Sequence, residues 1–180
     1  RDIWDVSAQL SNLDEVETQM PVIGADELLA RGDFDLPRQV VADYGNEHFI
    51  STILDTPYSD MYEFLGFKGL MVIQRRNPAW FHHLLQRRLM QSEEIIEAWA
   101  ATGIHGIFAE EVFSGADISS PQSYDNFVFA YNQPYFQHMR STGMLPIHYV
   151  CGDALPRLER MVEYDIAAVA FEESKKKFCI

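Results

Sequence analysis

Residues 145–153 read LPIHYVCGD, an apolar run that passes directly into a polar Cys-Gly-Asp loop. A short segment rich in apolar, β-branched and aromatic residues and closed by a glycine is typical of a buried β-strand and the loop after it. We therefore predict a strand over residues 145–150. We also expect any chemistry of this chain to be centred where that strand ends, at Cys151.

Three other segments have the same form, and helical segments separate them. The predicted strands are FISTIL (49–54), IFAEEV (107–112) and IAAVAF (166–171), and the predicted helices cover 59–67, 78–100, 120–139 and 153–161. Regular alternation of strand and helix indicates parallel β/α units, and continuous apolar strands indicate a sheet covered on both faces. The architecture is thus either a (β/α) barrel or an open, doubly wound sheet.

The length of 180 residues falls in the range of a single domain. Residues 1–47 are mixed and polar and predict an N-terminal helical or irregular segment, while residues 48–180 hold the β/α units. The longest helix follows Asn77 and Pro78, and a capping signal at Gln91 and Ser92 is able to split it in two.

Composition narrows the possible partners and compartment. The net charge of −13 repels a phosphate backbone, which argues against nucleic acid, and no apolar run approaches the ~20 residues that cross a bilayer. Two cysteines, Cys151 and Cys179, do not form a disulfide framework, so a reducing cytoplasm is the expected compartment. Because the sequence opens on Arg1 and stops shortly after a strand, we expect a partial chain.

Acidic residues occur at the carboxyl ends of all four predicted strands. They are Asp55, Glu110 with Glu111, Asp153, and Glu172 with Glu173. The carboxyl ends of parallel strands form the working face of both candidate architectures. The sequence therefore predicts an acidic rim there, with Asp55 and Asp153 as candidate catalytic residues.

Strand alternation sorts the residues around Cys151. Tyr149 and Cys151 point to one face while His148 points to the other, and only one of Glu110 and Glu111 can point inward. A thiolate with a carboxylate or an imidazole nearby is a chemically suitable zinc site. The alternative is that Cys151 is a small buried apolar residue, as free cysteines often are.

The order of several motifs resembles the uroporphyrinogen decarboxylase superfamily, which includes the cobalamin-dependent methyltransferases. The matching segments are GIHGIFAEE (103–111), ISSPQSY (118–124), QPY (133–135), PIHYVCGD (146–153) and FEES (171–174). Residues 69–100 are also similar, so the likeness covers roughly two thirds of the chain. It implies a (β/α)8 barrel of about 250 residues or more, of which about four strands are visible here. A partial barrel exposes apolar surface, so homo-oligomerisation or a missing half is expected.

The resemblance implies a chemistry in which zinc activates a thiol or another methyl-group partner and a corrinoid carries the methyl group. The zinc branch carries His-x-Cys-Gly, and this sequence has Tyr149 in the position of that histidine, with His148 one residue early. The candidate metal ligands are Cys151, Glu111 as a replacement ligand, and His148. The expected partners are a corrinoid protein or a small methylated substrate, with zinc and cobalamin as cofactors.

Two alternatives stay open. The resemblance also permits a tetrapyrrole decarboxylase that works without a metal, in which the conserved tyrosine of that branch maps to Tyr135. The departure from His-x-Cys and the short length also fit a non-catalytic relative that keeps the barrel without its site.

Overall fold

The structure, a computed structural model, describes residue 10 and residues 12–172. The N-terminal helices are α1 (Leu13–Gln19), α2 (Ala25–Ala30) and α3 (Asp35–Tyr44). The β/α units that follow are β1 (Ser51–Asp55), α4 (Pro57–Arg76), α5 (Pro78–Ala100), β2 (Gly106–Glu111), α6 (Pro121–Ser123), a π-helical turn (Tyr124–Phe129), α7 (Ala130–Ser141), β3 (Leu145–Val150), a 3-10 turn (Leu155–Arg157), α8 (Leu158–Met161) and β4 (Ala168–Phe171).

The four strands form one parallel sheet in the order β1-β2-β3-β4. Each strand lies beside its predecessor in the chain, and the connections carry the helices. Sequential order with the helix layer on one face is the arrangement of a (β/α) barrel, whereas a doubly wound sheet has helices on both faces. The fold is therefore a partial barrel of four strands that does not close on itself.

Only one face of the sheet is covered by the described residues, so the prediction of burial on both faces was wrong. On the covered face Ile107, Ala109 and Val150 are buried against the helices, whereas on the other face Ile53 is 66% exposed and Leu145 is 40% exposed. The interior of a complete barrel is filled by inward side chains from all of its strands. Four strands leave that interior face open, and we call it the open face.

Helix α5 is continuous, and the capping signal at Gln91 and Ser92 does not divide it. Asn77 caps its first turn by accepting a hydrogen bond from the amide of Trp80, and the apolar residues at spacings of three and four face the core. The Ser92 hydroxyl donates to the carbonyl of Arg88 inside the helix, and the Gln91 side chain accepts from the amide of Ile23. Tertiary contacts thus occupy both side chains that otherwise cap a new helix.

Helix α4 begins earlier and runs further than the predicted 59–67. Its N-cap is Thr56, whose hydroxyl accepts from the amide of Ser59, and it ends at Arg76. Gly66 has φ 61° and kinks the helix, a conformation that glycine adopts without the penalty that a side chain brings. The second half returns Gln74 to the first turn, where its amide donates to the Tyr58 hydroxyl at 3.0 Å.

The remaining boundaries differ by a few residues. β3 covers the predicted 145–150, while β4 begins at Ala168 and the helical region predicted from 153 begins with the 3-10 turn at Leu155. Glu173 and Cys179 lie outside the described residues. No helix in the described part of the chain is long and apolar enough to cross a membrane.

Gly106, at the start of β2, leaves no space for a side chain. A Cβ atom there lies 2.5 Å from the carbonyl oxygen of Leu145 and 2.8 Å from Cζ of Phe49. We expect Gly106→Ala to lower the free energy of unfolding by about 2 kcal/mol, because the neighbouring strand must move. Urea titration followed by circular dichroism measures this change.

Gly24→Ala is the matched control, since a Cβ at Gly24 meets only Oε2 of Glu94, at 3.8 Å, and φ is −63°. Equal stability of Gly106→Ala and the wild type contradicts the close approach of β2 and β3.

Candidate functional site

Four side chains meet on the open face at the carboxyl ends of β1, β2 and β3. Asp55 pairs with Glu110 and Glu110 pairs with Tyr149 in the strand register, and Cys151 follows two residues after Tyr149. Residues in register share a face, and residues two apart in a strand share it too. We call Asp55, Glu110, Tyr149 and Cys151 the rim.

Cys151 and Glu110 form the chemical centre of the rim. The Cys151 thiol is half-buried and donates to Oε1 of Glu110 over 3.8 Å. Burial raises the pKa of the Cys151 thiol, and the carboxylates of Glu110 and Glu172 raise it further, while a hydrogen bond with Tyr149 lowers it. A thiol among carboxylates stays protonated unless a cation joins it.

Asp55 contributes a carboxyl group that holds its proton unusually well. Asp55 stays accessible to solvent at the strand end, but partial burial raises its pKa to about 6, and the carboxylates of Asp60 and Glu110 add to this effect. A carboxyl group with that pKa exchanges protons near neutral pH, which suits a general acid or base. Asp55 therefore lies beside Glu110, whose carboxylate contacts the Cys151 thiol.

Glu111, the predicted metal ligand, does not meet Cys151. Alternate residues of a strand point to the same face, so Glu111 faces the helix layer with Ile107 and Ala109, and its side chain is fully buried there. Its carboxylate accepts hydrogen bonds from Thr56 at 2.6 Å, Asn132 at 2.7 Å and Ser59 at 3.1 Å. Strand alternation assigns Glu110 to the open face, so Glu110 is the acidic neighbour of Cys151.

Burial raises the pKa of Glu111 to about 7, even though hydrogen bonds from Thr56, Asn132, Ser59 and Ser114 lower it. A fully buried carboxylate loses more hydration energy than four neutral donors restore. Glu111 is therefore a structural acid that links β2 to the β1–α4 turn and to α7.

His148, the second predicted metal ligand, also lies in the helix layer. Its ring packs against Phe136, with centroids 5.0 Å apart, and against Tyr164, at 5.5 Å. Neither ring nitrogen has a hydrogen-bond partner among the described residues, and burial lowers the pKa of His148 to about 3. His148 is a neutral core residue that faces away from Cys151.

Tyr135 lies behind the sheet as well. It is fully buried, and its hydroxyl donates to the backbone carbonyl of Asp55 at 3.4 Å. It lines a cavity of about 200 Å³ together with Asp60 and Arg88, which form an ion pair. Tyr135 therefore supports the rim from the helix side, its side chain has no solvent-exposed surface, and Asp55 of the rim lines the same cavity.

Asp153 fixes the loop after β3 through its backbone. Its amide donates to Oδ1 of Asp117 at 3.2 Å, and its carbonyl accepts from the amide of Ala116 at 2.8 Å. Gly152 has φ 97° and lies against Gly115, so the two loops approach too closely for larger residues. The Cys-Gly-Asp loop is held rigidly by the loop after β2, which covers residues 112–120.

The end of β2 carries a feature that the sequence did not reveal. Phe113 has φ 60°, a strained value for a residue with a side chain, and its ring packs on Tyr62 and Phe67. Such strain is concentrated at functional sites.

Within the described part of the chain no three or more His, Cys, Asp and Glu side chains cluster closely enough to hold a metal ion, so Cys151 and Glu110 are a pair.

Comparison with known proteins supplies two findings. A family model described as uroporphyrinogen decarboxylase (URO-D) matches residues 41–177. A solved structure, a methyltransferase from Methanosarcina mazei, superposes with a TM-score of 0.69 at 16% identity, which covers 76% of this chain and 40% of that one. The similarity shows a common fold, and this chain spans 40% of the length of that methyltransferase. A search of curated proteins finds no match.

The buried carboxyl group of Glu111 makes stability depend on pH. Its pKa is raised from 4.5 to about 7, so its contribution is complete below about pH 4.5 and is lost as the pH rises through 7. Glu111→Gln cannot titrate. We therefore expect its stability deficit relative to the wild type to shrink by about 3 kcal/mol between pH 4.5 and pH 8, measured by urea unfolding. A deficit that is the same at both pH values contradicts this.

His148→Leu is expected to stabilise the protein, because it removes two buried nitrogens that lack partners. With the pKa of His148 lowered from 6.5 to about 3, the wild type loses stability as the pH falls below 6.5. The gain should therefore be about 2 kcal/mol larger at pH 5 than at pH 8. His83→Leu, at an exposed site on α5, serves as the control. A difference in stability between His148→Leu and the wild type that is the same at pH 5 and pH 8 contradicts the lowered pKa of His148.

Proposed function

Because the chain belongs to the uroporphyrinogen decarboxylase family, we propose that it is part of a corrinoid-dependent methyltransferase. In this proposal zinc assists transfer of a methyl group between a small methylated substrate or thiol and a cobalamin cofactor. The observation that carries the proposal is the contact of the Cys151 thiol with the Glu110 carboxylate on the open face.

The pair fits a zinc ion in the chemistry of its donors. Thiolate and carboxylate are both zinc ligands, and they lie side by side at the carboxyl end of the sheet, where barrel enzymes hold their active sites. The raised pKa of Cys151 also fits, because the carboxylates around the thiol leave the site short of positive charge. Cys151 and Glu110 would be two of the ligands, and the remainder would come from substrate and from further residues of the barrel.

When bound, zinc lowers the pKa of a coordinated thiol or polarises a methyl ether. The residues of this chain have their own tasks. Asp55, with its pKa near 6, would take or return the proton at the substrate's heteroatom. Phe108 and Ile147, half-buried on the open face, would form an apolar floor that excludes water from the site.

The proposed activity needs more barrel than the described residues supply. The open face exposes Ile53 and Leu145, and the chain spans 40% of the similar methyltransferase. The substrate and a corrinoid protein would bind between this face and the remaining strands. The tetrapyrrole decarboxylase alternative is less supported, because Tyr135 lies in the helix layer and is not available to a substrate.

Zinc content tests the proposal directly. We expect the complete wild-type protein, with all strands of its barrel, to hold about one zinc per chain by mass spectrometry, Cys151→Ala to lose it, and Glu110→Gln to bind it roughly tenfold or more weakly. Thiol-dependent change in the absorbance of methylcobalamin then reports methyl transfer.

Two variants are matched controls. Glu27→Gln, the same change at an exposed acid of α2, should keep its zinc, and so should Cys179→Ala. Wild-type protein without zinc, or zinc retained by Cys151→Ala, rejects the metal site. Zinc binding without methyl transfer in the complete protein leaves the non-catalytic relative as the answer.

A further inference from the structure

A cavity of about 830 Å³ lies between the end of α4 and the loop that leads into α6. It is separate from the rim and from the small cavity behind β1. Arg75 and Arg76 belong to its wall, and no aspartate or glutamate of the described chain does. In a protein with 27 acidic and 14 basic residues, a cavity walled by arginines alone among the charged residues has an unusual composition.

The two arginines also differ from the others in having no partner. Nine arginines fall within the described residues, and seven of them contact a carboxylate or a backbone carbonyl, namely Arg31, Arg38, Arg87, Arg88, Arg140, Arg157 and Arg160. Arg75 and Arg76 form no hydrogen bond or ion pair with any described residue. Their guanidinium groups are therefore free to bind a ligand from solution.

Arg75 and Arg76 stabilise the end of α4, but this structural role does not explain why both of them line the cavity. Cations in the last turn of a helix interact favourably with its dipole, and Arg75 and Arg76 occupy the last turn of α4. That benefit does not explain why both side chains border one cavity from which acids are missing. Guanidinium groups in the wall of such a cavity match the charge and the planar geometry of carboxylate and phosphate oxygens.

The rest of the wall indicates the body of the ligand. Gln122 and Asn126 supply neutral hydrogen-bonding groups, while Met71 and Phe127 supply apolar surface. A ligand with an anionic end and an apolar or planar body satisfies both parts of the wall. A cavity of this volume is in the range of small-molecule and cofactor sites.

The cavity is connected to the Cys-Gly-Asp loop through the loop after β2. Ile118 and Ser119 line the cavity, and the amide of Ala116, two residues before Ile118, donates to the carbonyl of Asp153. Arg157 holds the same loop by donating to the carbonyl of Ser119. A ligand in the cavity therefore contacts the segment that fixes the loop after Cys151.

We infer that this cavity binds a small molecule that carries a phosphate or carboxylate group, held by Arg75 and Arg76. The inference does not depend on zinc or on methyl transfer, because none of the residues that carry it belongs to the rim.

Isothermal titration of the purified protein with inorganic pyrophosphate and with citrate tests the site and separates the two chemistries. We expect saturable binding of at least one probe, weakened about tenfold or more in Arg75→Gln/Arg76→Gln. Arg75→Lys/Arg76→Lys keeps the charge and should bind with intermediate affinity. Tighter binding of pyrophosphate indicates a phosphate ligand, and tighter binding of citrate indicates a carboxylate ligand.

Arg31→Gln/Arg38→Gln is the matched control, with the same change of charge at exposed arginines outside the cavity. It should bind within about twofold of the wild type, since neither arginine lines the cavity and salt screens exposed charges. The inference fails if neither probe saturates, or if the two glutamine variants weaken binding equally. Thermal unfolding of each variant verifies that it is folded, so a loss of binding reports the site.

Discussion

The buried carboxylate of Glu111 is the interaction on which the geometry of the site depends. It joins the end of β2 to the first turn of α4 through Thr56 and Ser59, and to α7 through Asn132. Its burial is unfavourable, and its hydrogen-bond donors offset only part of that cost. Because this side chain is fixed on the helix side, the preceding residue must face the other way. The contact of Glu110 with Cys151 is a consequence of how Glu111 is held.

Much of the fold follows from local sequence patterns, and the exceptions have physical causes. β3 was predicted to its end residues, because a short apolar run is bounded there by glycines on both sides. The extension of α4 was missed because Gly66 and the residues around it read as the end of a helix, whereas packing carries the chain through the kink. The capping signal at Gln91 and Ser92 does not divide α5, because both side chains form other hydrogen bonds. Gln91 accepts from the amide of Ile23, and Ser92 donates to the carbonyl of Arg88.

The site was predicted in its location and only partly in its members. The sequence identified the carboxyl end of the sheet and the two faces of β3, and His148 lies opposite Cys151 as alternation requires. It did not distinguish Glu110 from Glu111, because Phe108 and Ala109 are both apolar and so leave the facing of β2 open. The strand register resolves this: Gly106 pairs with Leu145, so Glu110 pairs with Tyr149 and points to the same face as Tyr149. The cavity beside Arg75 and Arg76 had no signal, since it depends on the kink in α4.

The two outer strands of the sheet have a consequence for how the ring is completed. Among the described residues β1 pairs only with β2, and β4 pairs only with β3, so no described strand lies beside the outer edge of either. Strands that complete the barrel would have to pair with β1 and with β4 together. The shear of a closed barrel fixes the stagger between these paired strands. A slip of one residue at either seam turns the added side chains to the opposite face. Completion of the barrel would therefore require one register at each seam, the register that points the added side chains toward the rim.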